Sequence, residues 1–145
     1  MEKRNYKIVI DAPASKVWKV LWDKDTYTDW TGVFCEGSYV KSDFTEGGRA
    51  HFLTPSGEGM YSVVDTNREN QVMSFRHIGM LKNGEEMPLD DQTRSWSGAM
   101  ETYNLSEKDG KTTLEVELDI TEEHATYFDG AFPKGLTRVK ELAES

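Results

Sequence analysis

A chain of 145 residues has room for one sizeable hydrophobic core and not for two, so residues 1–145 are expected to form a single domain. The formal net charge of −9 and the pI near 4.8 oppose binding to nucleic acid or anionic lipid, and no Lys/Arg run offsets them locally. The opening MEKRNYKIVIDA lacks the apolar segment of a signal peptide, no stretch is apolar enough to span a membrane, and the lone Cys35 has no disulfide partner. A cytoplasmic protein is the expectation, with Cys35 a small, half-buried and inert thiol.

Tyr6, Ile8 and Ile10 alternate with Lys7, Val9 and Asp11, which predicts an opening strand. Pro13 suits a first helical turn, and Ala14, Val17, Trp18, Leu21 and Trp22 then draw one apolar stripe at helical spacing. The helix is predicted to end near Asp23, with a short second helical turn over Thr26–Trp30. That stripe assigns Trp18 to the core and Trp22 to a partly covered flank. Trp30, set apart by a polar turn, is free to face a ligand.

After Gly32 the pattern changes to strands. Gly37–Ser42 and Arg49–Thr54 come first, the second with Ala50 and Phe52 on one face and His51 and Leu53 on the other. The breaker-rich TPSGEG leads to Met60–Thr66, and the polar TNREN to Gln71–Ile78. Met80–Gln92 reads as a long loop, followed by a strand over Arg94–Leu105. Asp109-Gly110 marks a tight hairpin before Thr112–Ile120, where Leu114, Val116, Leu118 and Ile120 alternate with polar residues. Thr121 is a candidate N-cap, with Glu122 and Glu123 in the first turn of a helix. Pro133 is expected to break or restart that helix. Leu136, Val139, Leu142 and Ala143 then form a second apolar stripe. Helices set to one side of an antiparallel sheet make an α+β domain.

This order resembles the START-like superfamily of helix-grip proteins (SRPBCC), and within it the branch named for the activator of the heat-shock-protein-90 ATPase. The resemblance is carried by Ala12-Pro13, Val17-Trp18, Leu21 and Trp30, by Gly47-Gly48, and by Gly59 leading into Val63-Val64-Asp65. It continues through Glu101–Leu105, Asp109–Leu114 and Phe132–Leu136 with Leu142. One position departs, since many members carry Gly-Trp in the final helix where this chain has Gly135-Leu136. The resemblance implies two short helices after the first strand and a curved antiparallel sheet of about six or seven strands wrapped on a long C-terminal helix. It also implies a cavity between sheet and helix.

No motif of nucleophilic, metal or phosphate chemistry occurs. Glu85-Glu86 and Asp90-Asp91 read as solvated loop charge and Glu122-Glu123 as helix-start charge, so no catalytic residue is assigned. His51, His77 and His124 do not share metal-ligand spacing, and no metal or cofactor is expected. His77 falls on the same strand face as Met73 and Phe75, where it is either a hydrogen-bonded core histidine or the polar anchor of an apolar pocket. Arg76 and Arg94 are either outer-face residues or clamps for a ligand carboxylate.

The leading expectation is a protein that holds a small apolar or aromatic molecule in that cavity; the residues lean against an enzyme without deciding it. The candidate lining is Trp30, Phe52, Tyr61, Phe75, His77, Trp96, Met100 and Phe128. A one-residue shift in register would turn part of this set to the other face. The alternatives are a cyclase- or dehydratase-like enzyme using the same cavity, and a chaperone-associated or stress-response interaction module. A chaperone and a homodimer are the partners considered.

Overall fold

The opening strand, β1 (Glu2–Ile10), pairs antiparallel along its whole length with β8 (Lys111–Ile120), so the two ends of the chain meet at one edge of the sheet. The computed structural model describes residues 1–145. Two short helices, α1 (Ala14–Trp22) and α2 (Lys24–Thr31), follow β1. The strands β2 (Tyr39–Lys41), β3 (Arg49–Leu53), β4 (Gly59–Arg68), β5 (Val72–Lys82), β6 (Glu85–Glu86), β7 (Met100–Lys108) and β8 then make one antiparallel sheet in the order β1-β8-β7-β5-β4-β3-β2. The two-residue β6 pairs with the far end of β5, beyond the reach of β7. A single turn of helix, α3 (Asp91–Arg94), precedes β7, and α4 (Glu122–Glu144) closes the chain against the sheet. This is the helix-grip architecture.

The helices are built by local chemistry. Pro13 accepts from the N–H groups of Lys16 and Val17, while the first helical N–H, that of Ala14, donates to Glu107 Oε1 at 2.7 Å. A carboxylate from β7 therefore serves an end that α1 cannot cap with its own side chains. The buried face of α1 is Ala14, Val17, Val20, Leu21 and Trp22, so the stripe is rotated toward Val20. Trp18 becomes the half-covered flank. Trp22 is the buried hub, with aromatic rings of Tyr27, Phe44, Phe75 and Tyr103 around it. Its Nε1 is buried without a hydrogen-bond partner.

α4 runs unbroken through Pro133. Proline removes one helical donor, and the carbonyl so deprived is that of Asp129, on an exposed turn. Burial of Phe132 and Leu136 on either side holds the segment helical. Thr121 sits at the N-cap, but its hydroxyl meets His124 Nδ1 at 2.6 Å and caps no backbone N–H.

Residues expected in a long loop are partly ordered as a hairpin. Asn83 and Gly84, both at positive φ, turn β5 back into β6, and Asp109-Gly110 does the same between β7 and β8. Asp90 accepts from the Thr93 N–H at 2.8 Å and caps α3, which delays the start of β7 to Met100 and places Trp96 in a turn.

Two register shifts, between Tyr61/Ser62 and Val64/Thr66, interrupt the pairing of β4 with β5. Met73, Phe75 and His77 share the inner face. Phe75, fully buried, sits edge-on to Phe52 at 5.0 Å and to Trp22 at 5.5 Å, so it belongs to the core beneath the cavity wall. Tyr61 faces the opposite side, in a small cluster with Leu53 and Leu81. Its ring covers Gly79, where a Cβ would lie 2.7 Å away, and its hydroxyl donates to the Met87 carbonyl at 3.0 Å. Neither residue lines the cavity described below. Replacing Phe75 with Ala is expected to cost about 3–5 kcal/mol in denaturant unfolding, because the filled core cannot close over the gap.

Candidate functional site

Between the sheet and the N-terminal half of α4 lies a cavity of two chambers, about 350 and 300 Å³. They share Met60, His77, Met80, Glu101 and Phe128, so these residues mark their junction. The larger chamber runs toward α2, with Trp22, Trp30, Phe52 and Phe132 among its walls; 14 of its 20 lining residues are hydrophobic, a composition suited to an apolar ligand. The smaller runs toward the start of α4 and includes Trp96, Met100, Asp119 and His124. Met80 and Tyr127, both exposed, stand where the larger chamber meets solvent.

Of the candidate lining set, Trp30, Phe52, His77 and Phe128 meet in the larger chamber. Trp96 and Met100 lie in the smaller, which His77 and Phe128 also line. Trp30 faces the larger chamber from deep in its wall. It is 1% exposed, and its Nε1 donates to the Leu21 carbonyl at 3.1 Å, tying α2 back onto α1. Its polar tip is spent within the protein, and a ligand would meet only ring carbon. Cys35 is exposed near the chamber's rim, not half-buried.

Polar chemistry gathers at the junction. His77 is 7% exposed, and its backbone is held by the turn before β7: its N–H donates to Ala99 and its carbonyl accepts from Gly98. Its Nδ1 lies 2.6 Å from Ser62 Oγ and its Nε2 lies 2.9 Å from Glu101 Oε1. The Tyr103 hydroxyl donates to the other oxygen of Glu101. Burial pushes the Glu101 carboxyl up, but in the acid range where it titrates the hydrogen bond and charge attraction from His77, with the hydrogen bond from Tyr103, outweigh burial, and the net displacement is downward from the ordinary value of 4.5. Burial, with the nearby Glu101 charge, pushes the phenols of Tyr103 and Tyr27 upward, so both stay protonated.

Neither Glu101 nor Tyr103 stood among the candidate residues. The signal was present in β7, where Glu101 falls in one alternating series with buried Ala99, Tyr103 and Leu105. A carboxylate in an inward-facing series is the exception that marks a site. The paired acids do other work: Glu86 receives Arg49 and His51 on the outer face, and Asp90 caps α3. Arg76 and Arg94 are exposed and clamp nothing in the cavity. No three His, Cys, Asp or Glu side chains gather as a metal site requires.

Residues 11–142 match the family model described as activator of Hsp90 ATPase homolog 1-like protein. The chain belongs to this family. No curated protein matches it. Among solved structures, the Aha1 dimer of Colwellia psychrerythraea shares 19% identity at a TM-score of 0.75, covering 99% of this chain and 97% of that one. An AHSA1-like protein of Aeromonas hydrophila shares 17% at 0.69, covering 99% and 92%. DynU16, from the dynemicin biosynthetic locus, shares 13% at 0.73, covering all of this chain and 48% of that one. Identities this low establish the helix-grip fold and leave the ligand to the cavity's own chemistry. No helix of this family member is long and apolar enough to cross a membrane.

Because Glu101 titrates lower in the folded chain, its contribution to stability is complete above the ordinary value of 4.5 and is lost as pH falls through the depressed value. Glu101→Gln is expected to cost about 1–3 kcal/mol at neutral pH. Urea unfolding of both proteins from neutrality downward should show that difference shrinking below pH 4.5.

Proposed function

We propose that this protein binds a small apolar or aromatic molecule between the sheet and α4. The observation that supports this most is the pair of adjoining chambers: mostly apolar walls surround a single cluster of hydrogen-bonded polar groups where the two meet. These two chambers are large enough for a small molecule, and a ligand would explain open space of that size beside the core. A neutral aromatic probe, 4-phenyl-1-butanol, tests it by heteronuclear NMR titration. Amide shifts should concentrate at Phe52, His77 and Phe128, and Met60→Trp, which plugs the junction, should weaken binding about tenfold or more. Shifts confined to the outer face, or none at all, would overturn the reading.

One observation favours a second reading, a cyclase- or dehydratase-like enzyme: the contact of His77 with Glu101 inside the cavity. Both ring nitrogens of His77 are already engaged, so Glu101 is the group placed to take a proton from a ligand. Deuterium exchange at the acidic carbon of 2-tetralone in heavy water, read by NMR, tests this. Exchange that the protein accelerates and Glu101→Gln abolishes would support it, and a rate equal to buffer alone would end it.

A further inference from the structure

Ser62 is fully buried, and its hydroxyl has one hydrogen-bond partner, His77 Nδ1. A buried hydroxyl gives its proton to the acceptor it has. Assigned on that basis, Nδ1 accepts from Ser62 and the ring proton is on Nε2, from which it donates to Glu101. The Tyr103 hydroxyl supplies the second donor to the same carboxylate. The sum is a neutral imidazole, a neutral phenol and one carboxylate charge. Two of the roughly four acceptor sites on that carboxylate are taken.

Nothing cationic in the walls answers that charge. Neither chamber is lined by a Lys or Arg. The other wall carboxylate, Asp119, is already served by Lys3 at 3.0 Å and by the Met100 N–H at 3.0 Å. His124 is turned to the Thr121 hydroxyl. Arg76, next to His77 on β5, is exposed on the outer face. The Glu101 side chain, only 22% exposed, thus faces an aromatic chamber with no Lys or Arg set against it. Two hydrogen bonds hold that charge in place with acceptor sites to spare, and the faces of Trp22, Tyr27, Trp30 and Phe52 beside it are the surfaces a cation prefers.

We propose that the ligand is an amine: an ammonium group seated at the junction against Glu101, carried on an apolar or aromatic body that fills the larger chamber. This rests on the cavity-binding reading above and narrows it, because anionic ligands are repelled and neutral ones leave the carboxylate unanswered.

Three probes of one shape, 4-phenylbutylamine, 4-phenyl-1-butanol and 4-phenylbutyrate, separate the two claims. Titration at neutral pH in about 0.15 M salt keeps the general attraction of a −9 protein for cations short-ranged. The amine is expected to bind about tenfold or more tighter than the alcohol, and the butyrate most weakly. Glu101→Gln should erase the gap between amine and alcohol. Should that variant fold poorly, the wild-type comparison repeated at rising salt decides, because attraction to net charge fades with screening while a preference seated at Glu101 persists. Alcohol or butyrate binding as tightly as the amine, with shifts at the cavity residues, would overturn the amine proposal and leave cavity binding standing. An amine preference that survives in a folded Glu101→Gln would also overturn it, by assigning the preference to net charge. No binding by any probe would overturn both.

Discussion

The way α4 docks decides where this protein has empty space. Its C-terminal half is clamped: Leu136, Val139 and Ala143 are buried, Lys140 reaches the Val9 carbonyl, and Glu144 takes the Asp11 N–H. Tyr6 stacks on Phe132 at 5.1 Å and donates to Asp129 at 2.7 Å, and Arg138 grips Asp29 of α2 with two hydrogen bonds. The N-terminal half carries Tyr127, Phe128 and Phe132 along the cavity. One rigid helix thus acts as a bolt at one end and a lid at the other. Tight packing there and a gap here come from the same element, pinned along its C-terminal half and spanning the chambers with its N-terminal half.

That division explains which aromatic residues are structural. Trp22 gathers five rings around it and joins α1 to the sheet, while Trp30 spends its N–H on Leu21. Both present faces to the cavity, yet their positions are set by the core. Walls built this way are held before any ligand arrives, which lowers the ordering cost of binding. Gly135 serves the same end, letting α4 approach α2 so closely that a Cβ would sit 3.3 Å from Val33 and 3.5 Å from Trp30.

The polar chain from Ser62 through His77 and Glu101 to Tyr103 spans β4, β5 and β7. Each strand contributes through its inward series, and adjacent strands bring those series into contact. A satisfied chain of this kind fixes tautomer and rotamer together. His77 is best described as a positioning residue for Glu101, since neither of its ring nitrogens is free for a ligand.

The amino-acid pattern alone determined the architecture. Alternation in β1 and β8, helical spacing in α1 and α4, and Asp109-Gly110 each depend only on neighbours in sequence, and each is seen in the structure. It also placed His77 with Met73 and Phe75, because period-two logic holds over a short run. Tertiary structure decided the rest. Tyr61 went to the outer face because pairing irregularities in β4 and β5 and the bare Cα of Gly79 made a seat for its ring there. Phe75 went beneath the wall because Phe52 and Trp22 close over it. Pro133 stayed helical because burial on both sides outweighed one missing donor. Glu101 became the centre of the site only when β5 brought His77 beside it, 24 residues away in the chain. Sequence spacing assigns a side chain to a face; it does not say what the neighbouring strand sets opposite, and the chemistry of this cavity lies in that second fact.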